Sequence, residues 1–312
     1  PESVFASCVT KPDQSIPDED NVSITIKYQN GSTAVINYYA FGNNQLPKEY
    51  IELFAPDLAM TMDNFRELEI FNSDSSSFNL NFSTGISINS KDLFFKVVES
   101  SSKKITMRLE ISSRNYVDFI YNLGNEYLVD FDINLVGMNE IIPSSLNFMN
   151  LDWQMKTPQT EKSKTNQDMY TGIQYQYLVD KEVDYLSFTK TDEDEINSKI
   201  SWVAFKQQFF SSILISKNGF DKPTVLKSEK NENSDYIKDL SAKFELPFSH
   251  SRNETINFQF FFGPNHYKTL LSYGKGFEEL VPLGWGIFGW VNKYVIIEIF
   301  DFLRHNKNDT CC

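Results

Sequence analysis

Few residues in this chain have types and spacings that could do chemistry. Histidine occurs only at 250, 266 and 305. His250 and Glu254 could serve a sugar ring as the paired proton donor and acceptor of general acid–base catalysis. Both, however, stand in a Ser-, Asn- and Arg-rich stretch that reads as a solvated loop. Lys206-Gln207-Gln208 is a polar cluster inside an apolar run. A buried amide must find partners, so Gln207 is expected to bond a neighbouring strand or loop rather than a ligand. Gly284-Trp-Gly-Ile-Phe-Gly289 fits the G-x-G-x-x-G pattern that, between a strand and a helix, cradles a dinucleotide. Here Pro282 and a helical pattern precede it, and too little chain follows for a βαβ unit. No nicotinamide cofactor is expected. Cys8, Cys311 and Cys312 form neither a CxxC pair nor a metal-ligand spacing, so neither a metal nor a disulfide framework is expected. His266 reads as the residue that fixes a turn into a helix.

The segment 284–303 carries a different chemistry. Trp285, Trp290, Tyr294, Ile297 and Phe300 lie in a run of apolar residues that Lys293, Glu298 and Asp301 interrupt. A spanning helix needs about 20 mainly apolar residues. Each charge near its centre costs on the order of 3 kcal/mol. A helix lying in the membrane interface, with those five residues as anchors, fits better. The formal net charge of −13 argues against a nucleic-acid partner and favours neutral over anionic lipid.

The elements that must position these residues are mostly strands. Aromatics make up 15% of the chain, with 27 Phe, and they join Val, Ile and Thr in a strand-favouring composition. Val22, Ile24, Ile26 and Tyr28 alternate with polar residues, Asn30-Gly31 offers a tight turn, and Ala34, Ile36 and Tyr38 return. Val129, Phe131, Ile133 and Leu135 alternate with Asp130, Asp132 and Asn134, as Ile256, Phe258, Phe260 and Phe262 do with their neighbours. The charged stretches 99–104, 156–168, 190–198 and 227–235 read as surface loops. A helix is expected from Asn265, with Leu270, Leu271, Phe277, Leu280 and Val281 on its apolar face, ending at Pro282. Many strands with polar loops and late helices make a two-sheet sandwich.

Four ordered segments carry a family resemblance. They are Asn115–Tyr121 with Tyr127–Leu135, Gly172–Tyr177, Trp202–Ile215, and Phe262–Gly274 followed by Leu280–Asn292. Together they resemble the large periplasmic domain of YidC membrane insertases of the Bacteroidetes type, from about residue 72 to 303. The resemblance implies a mainly β fold, a galactose-mutarotase-like β-super-sandwich with C-terminal helices. The segments Asp20–Ser32, Ile36–Ala40, Leu46–Phe54 and Asp63–Leu68 resemble the last strands of Gfo/Idh/MocA oxidoreductases. The implied organisation is an oxidoreductase-like fragment at 1–71, a sandwich at 72–263, and packing and membrane-proximal helices at 264–312, that is, a chimaera joined near Phe71–Ser77.

The YidC resemblance implies a non-catalytic domain on the periplasmic side of the inner membrane. Its implied contacts are the lipid surface and translocon components or nascent membrane proteins. The start Pro1-Glu-Ser-Val-Phe shows no signal-peptide pattern. The alternatives are an oxidoreductase fragment, or a carbohydrate- or peptide-binding sandwich with a cleft lined by Tyr175, Tyr177 or Trp202.

Overall fold

The computed structural model describes residues 2–8, 21–29, 33–39, 50–55, 58–63, 67–72, 76–83, 87–124, 126–221, 223–231, 235–284 and 286–299. Its contacts divide the chain into two compact units, Pro1–Asn72 and Ser73–Cys312.

The first unit holds two three-stranded antiparallel sheets. One is β1 (Ser3–Cys8), β2 (Asn21–Lys27) and β3 (Thr33–Tyr39), and the other is β4 (Tyr50–Ala55), β5 (Leu58–Asp63) and β6 (Glu67–Asn72). Ile24 pairs with Ile36 and Ile26 with Ala34, so β2 and β3 form the expected hairpin. Pairing stops at Lys27 and Thr33, which leaves residues 28–32 as the connection; Asn30 and Gly31 lie outside the described residues.

The second unit is the expected sandwich. Its strands are β7 (Ser76–Ser83), β8 (Ser87–Asn89), β9 (Lys96–Ser100), β10 (Lys104–Ser112), β11 (Asn115–Leu123), β12 (Leu128–Val136) and β13 (Phe148–Pro158). A short helix α1 (Lys164–Tyr170) follows. Then come β14 (Gly172–Tyr177), β15 (Val183–Tyr185), β16 (Asp192–Ile196), β17 (Ile200–Lys206), β18 (Phe210–Phe220), β19 (Thr224–Lys230), β20 (Tyr236–Pro247) and β21 (Asn253–Pro264). Nine strands form one sheet in the order β15-β14-β17-β18-β21-β12-β11-β10-β9, and six form the other in the order β16-β19-β20-β13-β7-β8.

The inward residues of both sheets make one core. Phe131, Ile133, Val203, Phe205 and Phe258 of the larger sheet meet Leu80, Leu151, Trp153, Leu240 and Phe244 of the smaller. The Trp153 ring stacks on Phe205 at 3.8 Å, and such contacts add to area burial. The wet face of β12 is as its alternation required. Asp130, Asp132 and Asn134 accept hydrogen bonds from Gln259, Asn257 and Thr255 of β21, directly across the ladder.

Sequence and structure part in several places. Of the stretches read as loops, 227–235 takes in the end of β19, 156–168 takes in the end of β13 and most of α1, and 190–198 contains β16. Its run Asp192-Glu-Asp-Glu195 is tolerated because it is an edge strand, paired only to β19, and charge on an edge resists further strand addition. The helix expected from Asn265 to Pro282 is instead α2 (Tyr267–Ser272) followed by a 3-10 turn at Phe277–Leu280. Gly274 and Gly276 adopt left-handed conformations with φ of 61° and 76°, which ends the first helix and redirects the chain.

Candidate functional site

The C-terminal connector is built on the second face of the larger sheet. Trp202, Ala204, Ile213, Ile215 and Phe261 point away from the sandwich core. They are covered by Leu270 of α2 and by Phe277 and Leu280 of the 3-10 turn. The central strands are therefore dry on both sides, which is why their sequences read as nearly continuous apolar runs. His266 caps α2 as expected: its side chain accepts from the Thr269 backbone amide, and its Nδ1 lies 2.9 Å from the Thr269 hydroxyl.

The connector then feeds a helical segment, α3 (Gly286–Val291), continued by a π-helical turn at Asn292–Ile296 and helical residues to 299. Phe288 (67% exposed), Trp290 (59%), Tyr294, Val295, Ile296 and Ile299 present apolar surface to solvent. Trp290 and Tyr294 lie side by side, with ring centroids 5.7 Å apart. Ile297 is half-buried. Trp285 and Phe300 lie outside the described residues. The two charges that break the apolar run within the described helix are turned to the protein's use. Glu298 pairs with Lys268 of α2 at 2.9 Å, and Lys293 lies 5.8 Å from the Tyr267 ring centre. Its contact with the Tyr267 hydroxyl raises the Lys293 pKa. Asn292 donates to the Leu283 carbonyl at 2.8 Å. Among the described residues no helix is long and apolar enough to cross a membrane.

The structure separates the aromatic residues expected to share a cleft. Tyr175 and Tyr177 face the sandwich core and touch each other at 5.5 Å between centroids. Burial pushes the Tyr175 hydroxyl pKa far up. Trp202 lies on the opposite face, its indole Nε1 donating to the Lys275 carbonyl at 2.9 Å. Strand parity explains the split: Trp202 is paired with Gln176, between the two tyrosines. Trp202 instead borders an open hollow of about 500 Å³ with Gln176, Ser201, Lys217, Lys275 and Glu278. Three groups already satisfy Gln176 and Trp202 there, namely Lys181, Ser201 and Lys275.

The other candidate residues have structural partners. His250 bonds the Leu146 carbonyl through Nε2 at 2.9 Å, while Glu254 accepts from the backbone and hydroxyl of Ser249. The two do not converge. Gly284 and Gly286 adopt left-handed conformations after a 3-10 turn, not after a strand. Gln207 bonds through its backbone, donating to Phe210 and accepting from Asn265. The notable member of that cluster is Lys206, only 4% exposed and 5.2 Å from the Phe188 ring centre. Burial lowers its pKa to about 8. Sequence reasoning missed Lys238, which is 1% exposed and reaches from β20 to the carbonyls of Asp168, Thr171 and Phe188. Its run Lys238-Asp-Leu-Ser-Ala242 reads as an ordinary amphipathic strand, and nothing in it marks the lysine as inward.

The comparisons with known proteins agree with this architecture. Residues 57–297 match the family model described as the YidC periplasmic domain. The membrane protein insertase YidC of Bacteroides fragilis is 38% identical over 242 residues, covering 75% of this chain and 39% of that protein. The Parabacteroides distasonis insertase is 35% identical over 252 residues, covering 77% and 40%. That of Phocaeicola vulgatus is 34% identical over 248 residues, covering 76% and 40%. The chain thus spans about two-fifths of the length of these relatives. The match begins at residue 57 and so takes in β5 and β6, ahead of the seam expected near Phe71–Ser77 and across the division between the two compact units. With two β-sheets closed on one core, a connector packed on the outer sheet face, and a family match over most of its length, this chain belongs to the YidC periplasmic domain family.

Proposed function

We propose that this chain is a non-catalytic domain held at the periplasmic surface of the inner membrane, where it contacts nascent membrane proteins or translocon components for an insertase. The observation that carries this reading is the apolar surface that residues 286–299 leave exposed while their two charges are engaged. Lys293 and Glu298 contact α2, and Phe288, Trp290, Val295, Ile296 and Ile299 are open to solvent. If adsorption removes roughly 300 Å² of that surface from water, it gains on the order of 7 kcal/mol before immobilisation costs. That is enough for a helix to adsorb, and the charges stay outside the hydrocarbon.

Flotation of the full chain with phosphatidylcholine vesicles tests it. The parent should float, and less should float as anionic lipid is added, because the protein carries a net charge of −13. A variant with Phe288→Ser, Trp290→Ser and Ile296→Ser should stay in solution with an unchanged circular dichroism spectrum. A variant that floats as well as the parent would sink the reading.

A further inference from the structure

We propose that one end of the larger sheet is a second membrane contact, which sets the sandwich end-on to the bilayer; this rests on the reading that the helix 286–299 lies on a lipid surface. Four separate turns meet at that end, and backbone hydrogen bonds join them in a row. Leu123 donates to the Lys103 carbonyl at 2.7 Å, Phe262 to Tyr127 at 3.0 Å, and Asn265 to Phe209 at 2.7 Å. The row carries exposed Leu123, Tyr127, Phe209, Phe210 and Phe262, with Leu123 57% and Phe210 60% exposed. A run of this kind is more than the scattered apolar exposure a soluble surface shows.

The occupant is identified by two features. The tips come from different hairpins, and their backbone groups bond one another, so they offer no free strand edge for a peptide to join. The row also continues into the helix: Asn265 precedes the cap of α2, whose Lys268 holds Glu298 and whose Tyr267 meets Lys293. Aromatic and leucine side chains flanked by Lys103 and Glu126, adjoining a helix with exposed aromatic and aliphatic residues, match the mixed chemistry of a lipid headgroup boundary.

The test uses the full chain with Cys8, Cys311 and Cys312 replaced by Ser, and a polarity-sensitive dye at one new cysteine. Leu123→Cys and Phe210→Cys probe two turns of the row and Trp290→Cys the helix. Val179→Cys, 89% exposed in the turn at the opposite end of β14, is the control. Phosphatidylcholine vesicles with headgroup-level spin-labelled lipid should quench dyes at 123, 210 and 290 and leave 179 unchanged. In the unlabelled protein, Phe209→Ser with Phe210→Ser should weaken vesicle partitioning about tenfold. Quenching at 290 without 123 and 210 overturns the proposal and leaves the helix reading intact. Quenching at 123 and 210 without 290 overturns the helix reading, and with it the proposal of a second contact continuous with that helix. Equal quenching at all four positions, or at none, overturns the oriented contact.

Discussion

Lys206 and Lys238 are both buried, and they should respond to the same substitution with opposite signs. Lys206 ends β17 and lies 5.2 Å and 5.7 Å from the ring centres of Phe188 and Tyr170. Among the described residues no carboxylate pairs with it. Burial takes its pKa from 10.5 to about 8. Below pH 8 the ammonium is present in both folded and unfolded chains, and the fold bears the whole desolvation cost, about 3 kcal/mol for a shift of this size. Between about 8 and 10.5 the unfolded chain binds the extra proton, so stability rises with pH and the cost is relieved. Ring contacts return about 1 kcal/mol of this cost. Lys206→Met should therefore stabilise the protein at pH 7 by about 2 kcal/mol, and the advantage should vanish near pH 10.5. Lys238 also has a pKa lowered by burial, partly offset by its pair with Asp168 at 3.1 Å. Its ammonium satisfies three backbone carbonyls, so Lys238→Met should strand those carbonyls, leave the Asp168 carboxylate to Lys230 alone, and cost about 3–5 kcal/mol. Urea titration followed by tryptophan fluorescence reads both, because Trp153 stacks on Phe205 next to Lys206. A destabilised Lys206→Met protein at pH 7, or an advantage that does not shrink with pH, would refute the reasoning.

Three further outcomes follow from the packing. Arg108 forks onto Asp118 at 2.7 Å and 2.8 Å and lies 3.6 Å over the Tyr116 ring, so Arg108→Lys should lower stability by about 1–2 kcal/mol in the same titration. A Cβ at Gly276 would strike the Gln176 amide at a φ of +76°; Gly276→Ala should cost about 1–3 kcal/mol and speed amide exchange in α2. Hydrogen exchange should release Ile24 and Ile36 well before Phe131 and Leu214, since β1–β3 form a three-stranded sheet with exposed Phe5, Val35 and Ile36. Equal protection would contradict that.

What the sequence disclosed follows from the range of the forces involved. Strand parity is local, so the wet and dry faces of β12 and the pairing of β2 with β3 could be read directly. The broken helix could also have been found, because Gly274-Lys-Gly276 is a stop signal inside the apolar pattern. Which face of a strand meets a second layer is not local. Tyr175 and Trp202 look alike in sequence, yet their sides of the sheet depend on a register between strands distant in the chain, Tyr175 pairing with Val203 and Gln176 with Trp202. Lys238 was hidden for the same reason: its partners are 50 to 70 residues away. β16 was missed because edge strands need no apolar face.

The way the helix is held decides how the domain can act. The dry outer face of β17 and β18, with Phe261 near the end of β21, is the platform on which α2 and the 3-10 turn pack. On that side β12 and the earlier part of β21 instead carry the polar ladder of Asp130, Asp132 and Asn134 with Gln259, Asn257 and Thr255. The connector can therefore sit over only one part of the sheet. Leu270, Phe277 and Leu280 fix it there with full burial, and Trp202 ties it again through Lys275. The residues that continue α3 are tied back to this piece where Glu298 meets Lys268, Lys293 meets Tyr267 and Asn292 meets Leu283. A lipid-bound helix held by these three polar contacts would bias the orientation of the sandwich, and it is the part of the domain with the fewest ties to the rest. Loosening the anchor, as Gly276→Ala should, is expected to leave flotation intact while broadening the orientation that the dyes at 123 and 210 report.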